Sequence, residues 1–74
     1  MKKTVFFSIY KGEKFYVAEC ADLPIITQGE TLDEVASNIQ EAVRLHLEGE
    51  NLAELGFAQR PIIVANLELT PEYA

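Results

Sequence analysis

The sequence predicts an α+β domain in the order strand, strand, strand, helix, strand, with one helix laid on one face of a four-stranded sheet. Three observations carry that prediction. Residues 29–49 combine helix caps with apolar residues at three- and four-residue spacing. Residues 4–11 and 15–20 alternate in the period-two manner of strands, across a short polar link containing a glycine. Residues 62–69 are rich in β-branched side chains. A single helix covers only one face of such a sheet.

In the first strand, Val5, Phe7 and Ile9 point one way and Phe6, Ser8 and Tyr10 the other. Lys11-Gly12-Glu13-Lys14 is the connection, and Phe15 to Cys20 is the return strand. The expected register sets Tyr10 against Phe15, Ser8 against Val17 and Phe6 against Glu19. The other face then pairs Ile9 with Tyr16, Phe7 with Ala18 and Val5 with Cys20. That second face is the more apolar, and small Ala18 leaves space for a helix, so the helix is assigned to it. Ala21-Asp22-Leu23-Pro24 is a corner, since Pro24 cannot donate to a ladder. Residues 25–28 make a short third strand. Thr31 and Glu34 have the spacing of a capping box, and Asp33 and Glu34 suit the positive end of the helix dipole. The helix runs over about 32–48, with Leu32, Val35, Ala36, Ile39, Ala42, Val43 and His46 as its apolar stripe, and Gly49 ends it. A weak helical turn is expected over 50–57, a break at Ala58–Pro61, the last strand over 62–69, and a loose tail from Thr70.

With 74 residues, the chain makes one domain. A chain of this size buries only about 60% of its unfolded surface and usually needs a staple or a partner. Cys20 is the lone cysteine, so no internal disulfide serves, and self-association into a dimer or tetramer is the expected device. The 6 basic and 12 acidic residues give a formal charge of −6. That disfavours nucleic acid as a direct ligand. It suits a basic protein partner, and it equally suits a small domain that only has to stay dissolved. No apolar run reaches membrane-spanning length, and the run after Lys2 and Lys3 is too short and polar for a secretory signal. The expected compartment is the cytoplasm. On the face without the helix, Phe6, Tyr10, Phe15 and Val17 make an apolar patch, with Glu19 and Asp22 at its rim. Such a patch marks a contact surface, to a partner or to a second copy, unless the tail or the 50–60 segment folds over it.

Tyr16-Val17-Ala18-Glu19-Cys20-Ala21-Asp22-Leu23-Pro24, followed by Thr27-Gln28-Gly29-Glu30-Thr31-Leu32-Asp33-Glu34-Val35, resembles the HicB antitoxin family. The family shows an aromatic-led strand, an Asp-Leu-Pro corner and a Gln-Gly-Asp-Thr-x-x-Glu-Ala helix entry. Its helix ends near Glu-Ala-x-x-x-x-Leu, as in Glu41-Ala42-Val43-Arg44-Leu45-His46-Leu47 here. The likeness covers roughly residues 4–69. It implies a partial ribonuclease-H-like fold, with a mixed sheet whose fourth strand runs parallel to the first. It also implies a small basic HicA-type toxin as partner, an mRNA-cleaving ribonuclease that the antitoxin occludes. The corner departs from the family pattern, with Ile25-Ile26 where Gly-Cys often follows the proline. No DNA-binding module of the kind many members carry is expected, because the chain stops at Ala74. The alternative is a solitary oligomeric regulatory or ligand-binding domain with no toxin.

A ribonuclease-H-like fold raises the question of nuclease chemistry, which needs several carboxylates converging on metal ions. Glu19, Asp22 and Glu68 are the candidates, and Glu19 falls among aromatics on the open face rather than in an acidic cluster. His46 reads as a residue packed at the sheet edge rather than a catalyst or ligand. Cys20 reads as a small buried hydrophobe. The four glycines lack phosphate-loop spacing. No catalytic residue, cofactor or metal is therefore expected.

Overall fold

The structure, a computed structural model, describes residues 2–49 and 57–71, with side chains placed over 4–49 and 61–71. Its elements are β1 (Lys2–Lys11), β2 (Tyr16–Cys20), β3 (Ile26–Gly29), α1 (Leu32–Leu47) and β4 (Phe57–Leu67). One helix packs on a four-stranded mixed sheet ordered β3-β2-β1-β4. β1 and β2 are antiparallel, as are β2 and β3, while β4 runs parallel to β1.

The hairpin register differs from the expected one by two residues. Tyr10 lies opposite Val17, Ser8 opposite Glu19, Ile9 opposite Ala18, and Phe7 opposite Cys20. The turn is responsible: Gly12 N–H donates to Phe15 O at 2.7 Å, which draws Phe15 out of the strand and closes the ladder at Lys11 and Tyr16. A slip of two preserves the side of every side chain, so the face assignment stands. Val5, Phe7, Ile9, Ala18, Val35, Ile39, Val43 and Ile25 form the buried core.

Ile25 belongs to the corner rather than to the third strand. Its carbonyl accepts from Cys20 N–H at 3.0 Å, and its own N–H donates to Leu23 O at 2.8 Å. That second bond is a γ-turn through Pro24, whose fixed φ suits the central position. The Cys20 Sγ accepts from Leu23 N–H at 3.4 Å, so the thiol helps hold the corner.

Helix α1 begins as its caps require. Thr31 Oγ1 accepts from Glu34 N–H at 3.1 Å, and Gly49 sits just beyond the C-cap with φ +77. The buried line runs Val35, Ile39, Val43 and continues to half-buried Leu47. It follows the i+4 row of the helix, and this leaves His46 exposed instead of packed on a sheet edge. Only Glu30 and Thr31 separate β3 from α1, so the helix settles chiefly over β3 and β2. Asn38 fastens it there by donating to Gln28 O at 2.8 Å.

The last strand starts earlier than expected, at Phe57, and ends at Leu67. Ala58–Pro61, expected to end a helical turn and precede the strand, lies within it. Lys2 lies opposite Phe57 and Thr4 opposite Ile62, so one residue of β1 spans four of β4 there. Pro61 is accommodated in that irregular stretch, on an edge strand where a ladder bond is not required of it. Of the helical turn expected over 50–57, residues 50–56 lie outside the described residues and Phe57 opens β4.

Candidate protein-binding face

Residues opposite each other in a sheet share a face, so the register lays out the side without the helix in rows. One row is Gln28, Val17 and Tyr10. The next is Ile26, Glu19, Ser8 and Asn66. Beyond it come Phe6 with Val64, then Thr4 with Ile62. The face is therefore divided. A polar row crosses its middle, and an apolar strip occupies the β1–β4 end, with Phe6 47%, Val64 36% and Ile62 63% exposed.

The residues expected to form one patch are separated. Phe6 is opposite Ala21, whose N–H donates to Phe6 O at 2.9 Å, and it joins β4 rather than Glu19. Tyr10 and Val17 face each other, half-buried, at the other end of the polar row. Phe15 lies in the turn, also half-buried. Glu19 is exposed in the middle row, and Asp22 is exposed at the corner. Ile62 and Val64 were not anticipated on this face, nor was Ile26, which is 71% exposed. Alternation within residues 62–67 gives two faces, but only the parallel register with β1 decides which one is open.

A polar contact crosses the face. The Tyr10 hydroxyl donates to Glu19 Oε1 at 2.8 Å. That bond, then partial burial, then the charges of Glu19 and Glu68, hold the Tyr10 hydroxyl above its ordinary pKa of 10.0. Ionising it would lose the bond and set two anions together. The neutral form is thus the one favoured by folding: its stabilising effect is complete below the ordinary tyrosine range and is lost as pH rises through the raised value. Ultraviolet titration of the phenolate, with Tyr10→Phe to identify the signal, is expected to show Tyr10 ionising late. In Glu19→Gln it should move back toward the ordinary range. A Tyr10 that titrates identically in both proteins would contradict the contact.

At the Tyr10 end, a cleft of 690 Å³ is bounded by Tyr10, Lys11, Tyr16, Leu67 and Glu68. Lys11 Nζ stands 5.6 Å over the Tyr16 ring there. Among the described residues, no three His, Cys, Asp or Glu side chains are grouped to hold a metal ion. Among them also, no helix is long and apolar enough to cross a membrane. No family model, curated protein or solved structure matches the chain.

Proposed function

We propose that this chain is a non-enzymatic, cytoplasmic binding protein of the HicB-like antitoxin type, which occludes a small basic HicA-type toxin. The observation that carries the reading is the uncovered sheet face. It sets an exposed apolar strip of Phe6, Ile62 and Val64 beside exposed Glu19, on a chain of charge −6. Aromatic anchors supply most interface energy, and acidic surroundings speed encounter with a basic partner and disfavour wrong ones. The mixed sheet and its parallel fourth strand are those the sequence resemblance implies. The second reading is a solitary oligomeric regulatory domain, favoured by the place of β4 at the edge of the described sheet.

Tagged protein recovered from native lysate separates the two. The antitoxin reading expects a small basic protein in fixed ratio, captured less well as salt is raised. Phe6→Asp is expected to weaken that capture about tenfold or more while leaving the circular dichroism spectrum in place. Recovery of self-assembled protein alone, from cells expressing an adjacent toxin frame, would overturn the antitoxin reading in favour of the solitary domain.

A further inference from the structure

Two strands end the sheet, and they are unequally guarded. β3 is 4 residues long, and Glu30 follows it. β4 is 11 residues long and carries no charge from Ile62 to Leu67. Proteins blunt sheet edges with charge, proline, bulges or brevity. Here Pro61 and the ladder irregularity come before that run, and Glu68 comes after it, so the run itself is open. Both of its sides are largely apolar: Ile62 and Val64, with Asn66, face away from the helix, while Ile63, Ala65 and Leu67 face the helix side. That is the composition of a strand covered on both faces. Yet Val64, Ala65 and Leu67 are exposed in the single chain. Beside them, a groove of 370 Å³ between α1 and β4 is lined by Ala36, Ile39, Gln40, Ile63 and Ala65.

One hydrogen bond fixes which backbone groups are free. Glu68 N–H donates to Ile9 O at 2.7 Å, while Leu67 is the residue directly opposite Ile9. The even-numbered residues of β4 therefore turn their peptide groups toward β1. Ile63, Ala65 and Leu67 turn theirs outward. Pro61 falls in the outward set, so its missing N–H takes nothing from the β1 ladder.

We propose that this edge pairs antiparallel with the β4 edge of a second copy, with Ala65 beside Ala65 on a twofold axis, joining the two sheets into one. In this register Ile63 exchanges bonds with Leu67 of the second copy, and every pair within the uncharged run has an N–H to give. A centre at Val64 sets Pro61 in a bonding pair with Leu67, and a centre at Ile63 sets it against Ala65. The Ala65 centre leaves Pro61 outside the run. The twofold axis stands normal to the sheet, so both helices lie on one side, and Leu67 of the second copy reaches the mouth of the groove beside Ile63. Charge selects the occupant. Each chain carries −6, and within the uncharged run no like charges stand directly opposite one another. Glu68 then stands opposite Ile62 rather than opposite its own copy. A basic partner would find no acid in the run to draw it there. The pairing leaves the Phe6 strip uncovered and holds whatever that strip binds.

Cysteine cross-linking in a Cys20→Ser background tests the register. Ala65 copies lie at a hydrogen-bonded pair, about 5.5 Å apart at Cα, within the roughly 4.4–6.8 Å that disulfides span. Ile63 copies are offset by four residues, about 13 Å along the strand. Oxidised Ala65→Cys is expected to run as a covalent dimer and Ile63→Cys as a monomer. The parent should sediment as a dimer, with a denaturation midpoint that rises with protein concentration. Ala65→Pro removes an outward N–H and no bond to β1, and is expected to weaken the dimer about tenfold or more. A monomeric parent, cross-linking that fails or does not distinguish the two positions, or a dimer untouched by Ala65→Pro would each overturn the proposal. Capture of a foreign strand on β4 by a monomeric parent would overturn it equally.

Discussion

Phe7→Ala is expected to remove a large part of the folding free energy of the domain. Phe7 is 1% exposed and among the largest of the fully buried side chains. It stands on the helix side of β1, between Cys20 of β2 and Ala65 of β4, where the core crosses from one ladder to the other. Truncating a buried phenylalanine costs about 3–5 kcal/mol, because the transferred surface is lost and the cavity closes only in part. A domain of this length is stable by about 4–11 kcal/mol in all. Urea unfolding followed by circular dichroism should therefore show a midpoint lowered by about 1.5 M or more, or no folded baseline. Phe7→Leu, which keeps most of the volume, should cost about 1.5 kcal/mol or less. If the alanine variant unfolds within about 0.5 M of the parent, the core is not centred on β1, and the assignment of Val5, Phe7 and Ile9 to the helix side fails with it.

What was legible in the sequence follows the range of the interaction that decides it. The helix was legible because its limits are local: Thr31 and Glu34 meet within one turn, and Gly49 takes a backbone conformation few other residues adopt. The side on which each β1 and β2 residue lies was legible because alternation survives a slip of two. The register itself was not, since it hinges on whether Phe15 belongs to the turn or to the strand, and the Gly12–Phe15 bond decides that. Pro61 set the expected start of the last strand at Ile62, after the break of a helical turn; its place inside an edge strand could not be read without the strand order. The candidate face was the least legible part. Phe6 appeared to belong with Tyr10 and Phe15, near in sequence, and instead lies with Ile62 and Val64, brought to it by the parallel ladder. Long-range pairing has no local signature, so the composition of a surface built on it emerges only with the fold.

Gly29→Ala is expected to destabilise the domain by about 1–3 kcal/mol, and Gly29→Asn by more. Glycine-to-alanine changes at unstrained positions usually stabilise by about 0.4–1 kcal/mol through the unfolded chain, so the sign is informative. Gly29 is buried opposite Tyr16, and a Cβ there would stand 2.8 Å from Val35 N, 3.0 Å from Val35 Cγ2 and 3.2 Å from Glu34 C. These neighbours have little freedom to yield. Val35 N–H donates to Thr31 O at 2.9 Å, its side chain is 0% exposed in the core, and Glu34 is held by the Thr31 cap. Displacing them lifts the start of α1 from β3, which is where the helix is seated. Gly49 provides the contrast. A Cβ there meets nothing within 4 Å, and only its φ of +77 opposes a side chain. Gly49→Ala should cost about 1 kcal/mol, and Gly49→Asn, whose side chain tolerates that conformation, only a few tenths. Asparagine thus relieves one position and aggravates the other, which separates backbone strain from close packing in a single set of denaturation curves. A Gly29→Ala protein as stable as the parent would mean that β3 and α1 approach less closely than the two-residue link between them requires.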